Sequence, residues 1–147
     1  EVNVDKSPMF ELRILRSENS EEFTKISFYK NRGFRDWEKY DGWEVNKRLN
    51  ASDSIVSIDT SYSSSDPNVL SRPPESAPVY IKENENLFLR VFIDKSVVEV
   101  FVNERQCLAT RIYPSKKDSL GVSVLSQGAK SEIISLDAYD MDSIYDD

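Results

Sequence analysis

The chain has 147 residues, 39% hydrophobic and 31% charged, with a formal net charge of -7 and a pI near 4.7. That length suits one domain burying about 70% of the surface its unfolded chain exposes, and the acidic balance argues against nucleic acid or an anionic membrane as partner, because both select for basic patches. There is no histidine and one cysteine, Cys107, so no intramolecular disulfide can form, and zinc binding, thiol catalysis and any metal or other cofactor are not expected.

No apolar run reaches the 18 residues of a membrane span, and no signal-peptide pattern occurs. The sequence opens on Glu1 rather than Met, as a processed or excised piece of a longer protein would. In chain order, residues 9–15 (MFELRIL) alternate as a strand with Phe10, Leu12 and Ile14 inward, residues 17–22 form a polar turn, and residues 24–29 (TKISFY) alternate again to complete a hairpin.

Residues 30–50 are irregular and hold Phe34, Trp37, Tyr40 and Trp43, including both tryptophans of the chain. Two readings stand for them. Trp37, Tyr40 and Trp43 form a stacking platform for sugar rings, with Asp36, Glu38 and Asp41 binding hydroxyls, or the rings pack over one end of the domain or against a neighbour. Residues 54–62 (SIVSIDTSY) read as a strand centred on Val56 and Ile58, and residues 63–78 as a long Ser/Pro-rich loop.

The most informative stretch is residues 86–114, NLFLRVFIDKSVVEVFVNERQCLATRIYP. Three aliphatic and aromatic runs are broken at Asp94-Lys95-Ser96 and at Asn103-Glu104-Arg105, which predicts a three-stranded antiparallel meander. A two-residue loop at Lys95-Ser96 puts Leu89, Val91 and Ile93 on one face with Val98, Val100 and Val102, and a three-residue second loop adds Leu108, Thr110 and Ile112. The opposite face then carries Phe88, Arg90, Phe92, Glu99, Phe101, Arg111 and Tyr113, and is expected to be covered. Cys107 is expected there as a small packed side chain. Arg90, Glu99 and Arg111 form either a cross-strand ion cluster or the charged part of a domain interface with Phe101 and Tyr113. A lone Glu99 without a second placed carboxylate is not read as catalytic.

Residues 121–126 and 133–141 supply two more strands around a turn at residues 127–130, and the acidic tail of residues 140–147 is expected to fray. Eight or nine short strands separated by Pro, Gly and Ser turns read as an all-β, antiparallel two-sheet β-sandwich occupying residues 1–147.

The elements Asp94-Lys95-Ser96, Val98-Glu99-Val100-Phe101, Asn103 and Arg111-Ile112-Tyr113-Pro114, in that order, resemble the signature of the C-terminal β-sandwich module of glycoside hydrolase family 32, the invertases, inulinases and levanases. Ser76-Ala77-Pro78 and Leu120-Gly121-Val122 sit where the same module would have them. The resemblance implies a two-sheet sandwich, a partner in the catalytic five-bladed β-propeller of the parent chain, fructan or another polysaccharide as a further contact, and an extracellular or periplasmic setting.

That family's catalytic residues lie in propeller motifs, Asn-Asp-Pro-Asn-Gly, Arg-Asp-Pro and Glu-Cys. Here Asp66-Pro67-Asn68 is preceded by Ser65 and followed by Val69, Arg35-Asp36 is followed by Trp37, and no Glu-Cys occurs. No catalytic residue is therefore assigned. An accessory module packed on the propeller is the reading that follows, with an autonomous carbohydrate-binding module through Trp37, Tyr40 and Trp43 as the alternative.

Overall fold

The computed structural model describes residues 1–31 and 54–142. Among them are ten strands and no helix: β1 (Val2–Asn3), β2 (Met9–Arg16), β3 (Thr24–Tyr29), β4 (Ser54–Asp59), β5 (Glu75–Val79), β6 (Leu89–Asp94), β7 (Val97–Val102), β8 (Gln106–Arg111), β9 (Gly121–Gln127) and β10 (Glu132–Ile133). One layer is a five-stranded antiparallel sheet in the order β5-β4-β3-β2-β9, and the other is the meander β6-β7-β8. The small β1-β10 pair continues the second layer, because Val2 and Leu87 exchange two backbone hydrogen bonds of 2.9 and 2.8 Å. This is the all-β sandwich expected from the sequence.

Alternation decides which side of each strand is buried. Phe10, Leu12 and Ile14 of β2, Ile26 and Phe28 of β3, and Val56 and Ile58 of β4 meet Val98, Val100, Val102, Leu108 and Ile112 of the meander in one buried cluster. Val98, Val100 and Val102 are 0% exposed, and a fully buried valine contributes roughly 1.5–3 kcal/mol. Strand β2 carries a bulge between Arg13 and Arg16, where Leu15 takes a φ of 48°. Opposite the bulge, a Cβ on Gly121 would fall 2.8 Å from the Arg16 carbonyl oxygen, so only glycine fits the close approach.

Three elements depart from the sequence reading. Strand β5 occupies the end of the expected 63–78 loop; it is an edge strand, where the missing N-H of Pro78 is tolerated. It borders β8, and Gln106 Nε2 donates to the Pro78 carbonyl at 3.0 Å, which ties the two layers along that side. The strand expected over residues 54–62 ends at Asp59, whose carboxylate accepts the Ser61 N-H at 2.9 Å and starts a turn. The last expected strand, residues 133–141, is reduced to β10, because β1 offers only two residues as partner. Ile134 N-H still reaches the Glu1 carbonyl at 2.8 Å, and residues beyond Ser135 run exposed without a ladder.

Candidate functional site

The meander has the register its side chains require. Asp94 pairs Val97 across the Lys95-Ser96 loop, and Val102 pairs Gln106 across Asn103-Glu104-Arg105. In the second turn Asn103 and Glu104 both take positive φ, 48° and 55°, and Arg105 N-H closes on the Val102 carbonyl at 3.0 Å, the geometry of a type I′ turn. Asparagine suits the first of these positions because it tolerates the left-handed region. Its side chain also ties the turn to the segment entering β6, accepting from Phe88 N-H at 2.9 Å and donating to the Asn86 carbonyl at 2.9 Å. Asn103→Ala removes both bonds and strains the backbone, so a loss of about 2–3 kcal/mol is expected in urea unfolding. Asn103→Gly keeps the backbone but not the bonds, and should recover only part of that loss.

The outward face of the meander is partly exposed. Phe88 and Phe101 are each 36% exposed and Tyr113 49%, with Phe92 half-buried beside them. Phe92 and Phe101 stand edge to face with centroids 5.8 Å apart, and the Arg90 guanidinium lies 5.7 Å from the Phe88 ring centre. Phe88, Arg90, Phe92, Phe101, Gln106 and Cys107 line an open depression of about 540 Å3.

Two expectations for this face are corrected. The ion cluster of Arg90, Glu99 and Arg111 does not form among the described residues. Glu99 is opposite Phe92 and Ala109, Arg90 opposite Phe101, and Arg111 opposite Val97, so both arginines are diagonal to the carboxylate rather than across from it. Diagonal neighbours are about 7–8 Å apart, and Arg90 turns to Phe88 instead. Cys107 is exposed rather than packed, because it shares this outward face with Phe101.

A second cluster was not foreseen. Glu22, in the polar turn before β3, is 0% exposed, and six donors from two other loops surround its carboxylate. They are Ser65 N-H and Oγ-H at 2.6 and 2.9 Å, Ser115 N-H at 3.2 Å, the Ser115 hydroxyl, Lys116 N-H at 3.0 Å and Ser119 Oγ-H at 2.8 Å. Burial pushes its pKa up, but the bonds from Ser115, Ser65, Ser119 and Lys116 outweigh that and hold it well below the usual carboxylate range. Glu22 is thus held as the anion, its two oxygens shared among these donors. It fastens three loops at one end of the sandwich and is not placed to move protons. No local pattern announces it, since its donors come from 43 to 97 residues away.

Trp37, Tyr40 and Trp43 lie outside the described residues. Asp66-Pro67-Asn68 is a local turn, with Asp66 Oδ1 accepting from Asn68 N-H at 2.8 Å and its side-chain amide at 2.9 Å. Among the described residues no group of three or more His, Cys, Asp or Glu side chains is arranged to hold a metal.

Compared with known proteins, the chain matches the family described as glycosyl hydrolases family 32 C terminal over residues 1–140. Among solved structures it is similar to an exo-inulinase from Aspergillus awamori, with a TM-score of 0.60 and 20% sequence identity. The similarity covers 87% of this chain but only 21% of that one, and at this identity it establishes the fold. A comparison with curated protein sequences gives no match. The chain belongs to the C-terminal domain family of the family 32 glycosyl hydrolases.

Proposed function

We propose that this chain is the non-catalytic accessory sandwich of a glycosidase acting on sucrose- or fructan-type β-fructosides, and that it buries the outward face of the meander against the catalytic propeller of its parent protein. The observation that carries this is the exposed cluster of Phe88, Phe101 and Tyr113 with Phe92 beside them, among which Arg90, Glu99 and Arg111 form no ion pair with any described residue. Buried rings supply most of the binding energy at such contacts, while charges at the rim set orientation. A secreted or periplasmic setting accords with a polymeric substrate.

The accessory role predicts a difference between two preparations. Phe88→Ala and Phe101→Ala in the intact parent enzyme should each lower its melting temperature by several degrees, with hydrolysis of sucrose and inulin per folded molecule within about twofold of the original. In the 147-residue chain alone the same substitutions should shift melting far less, because those rings are partly exposed there. Equal shifts in both preparations would remove this face from the interface, and a large fall in turnover without a stability change would give it a direct part in catalysis.

A further inference from the structure

Beside the aromatic face lies a larger depression of about 730 Å3, walled on one side by the loop of residues 60–72 and on the other by Arg111, Ile112 and Tyr113. Its size falls within the range of small-molecule sites, about 300–1,000 Å3. The loop is held by its own bonds: Ser63 N-H to the Thr60 carbonyl at 3.0 Å, Val69 N-H to the Asp66 carbonyl at 3.0 Å, Ser63 Oγ to Thr24 Oγ1 at 2.7 Å, and Ser65 to the Glu22 carboxylate. A wall fixed in this way loses little freedom when a ligand settles on it.

The lining combines three chemistries. Ser61 and Ser71 contribute hydroxyl-bearing side chains, Tyr113 is a half-exposed aromatic residue, and Arg72 and Arg111 make no hydrogen bond or ion pair with any described residue. The carboxylate in the wall, Asp66, is already engaged by Asn68. In a chain of net charge -7, two unpaired arginines lining one hydroxyl-bearing depression stand against the overall field. The guanidinium fork matches the two oxygens of a carboxylate or phosphate, serine hydroxyls match sugar hydroxyls, and a tyrosine face matches the C-H face of a sugar ring.

We propose that this depression binds a saccharide bearing a carboxylate or phosphate group. The inference goes beyond the interdomain reading. Arg111 and Tyr113 border both surfaces, and the test uses the 147-residue chain alone, where both side chains are exposed, so either reading can fail without the other. Amide chemical shifts of the labelled chain are followed during titration with digalacturonate, glucose 6-phosphate, inorganic phosphate and maltose. Digalacturonate or glucose 6-phosphate should shift residues 60–72 and 111–113 and bind at least about tenfold more tightly than maltose, with affinity falling as salt is raised.

Arg72→Gln and Arg111→Gln, both substitutions of exposed side chains, should each weaken that binding by about tenfold. Whichever charged sugar binds supports the proposal and tells carboxylate from phosphate. Maltose binding as tightly, inorganic phosphate binding as tightly as glucose 6-phosphate, unchanged affinity in both arginine variants, or no shift with any probe would each overturn it.

Discussion

Glu22→Gln should lower the unfolding free energy at pH 7 by about 3 kcal/mol or more, among the largest losses available to a single polar substitution in this fold. The carboxylate gathers six donors and forms no ion pair with a described residue; Lys116 Nζ pairs with Glu21 instead. An amide of the same size keeps one acceptor oxygen and turns an NH2 group toward N-H and O-H donors, leaving several buried groups without partners. In a domain of about this length each kcal/mol moves the melting temperature by about 2–4 °C, so a fall of roughly 6–12 °C is expected by calorimetry. A variant melting within about 2 °C of the original would mean that the loops hold without the carboxylate.

The same residue fixes a pH dependence whose sign follows from its depressed pKa. A carboxyl bound more tightly as the anion in the folded state contributes fully above its unfolded value of 4.5 and loses that contribution as pH falls toward the folded value. Glu85, held at about 2 mainly by its bond from Arg105, and Asp59, where burial raises the pKa but the bonds from Lys25 and Ser61 together outweigh it, titrate in the same acid range. The informative quantity is therefore the difference between the original chain and Glu22→Gln. That difference should be constant above pH 5 and shrink by up to about 1.4 kcal/mol per pH unit below 4.5. A difference that stays flat down to pH 3 would rule out linkage through Glu22.

What could be read from the sequence divides along physical lines. The meander was legible down to its register, because Val98, Val100 and Val102 alternate strictly and a slip of one residue would expose all three. β1 and β5 were not, since two residues carry no period and Pro78 argues against a strand until its edge position is known. The alternation in residues 133–141 was real but had no partner strand to pair with beyond β10.

The candidate site shows the same divide. Its aromatic residues could be assigned to one face by counting, whereas the fate of Arg90, Glu99 and Arg111 depended on which residues stand opposite and on the Phe88 ring that draws Arg90 away. Glu22 is the extreme case. Its meaning comes entirely from Ser65, Ser115, Lys116 and Ser119, which only the folded chain brings to it.

Val100→Glu and Phe101→Glu place the same carboxylate on adjacent residues and should have opposite outcomes. Val100 is 0% exposed between Val91 and Leu108 on the inner face, so a glutamate there is buried without partners and should cost about 4 kcal/mol or more, enough to unfold much of the population at 25 °C. Phe101 points the other way and is 36% exposed, so its glutamate reaches water with Arg90 directly across the strand pair. The isolated chain should keep its circular dichroism spectrum and lose no more than about 1–2 kcal/mol, the share owed to the Phe92 contact and partial burial.

In the intact parent enzyme the second variant should no longer be mild, because a new carboxylate beside Phe88 and Phe92 would have to be desolvated for that face to dock. If Phe101→Glu unfolds the isolated chain as Val100→Glu does, the aromatic face is holding the sandwich together rather than waiting for a partner. A mild effect alone and a severe one in the whole enzyme would locate the cost at the contact between domains.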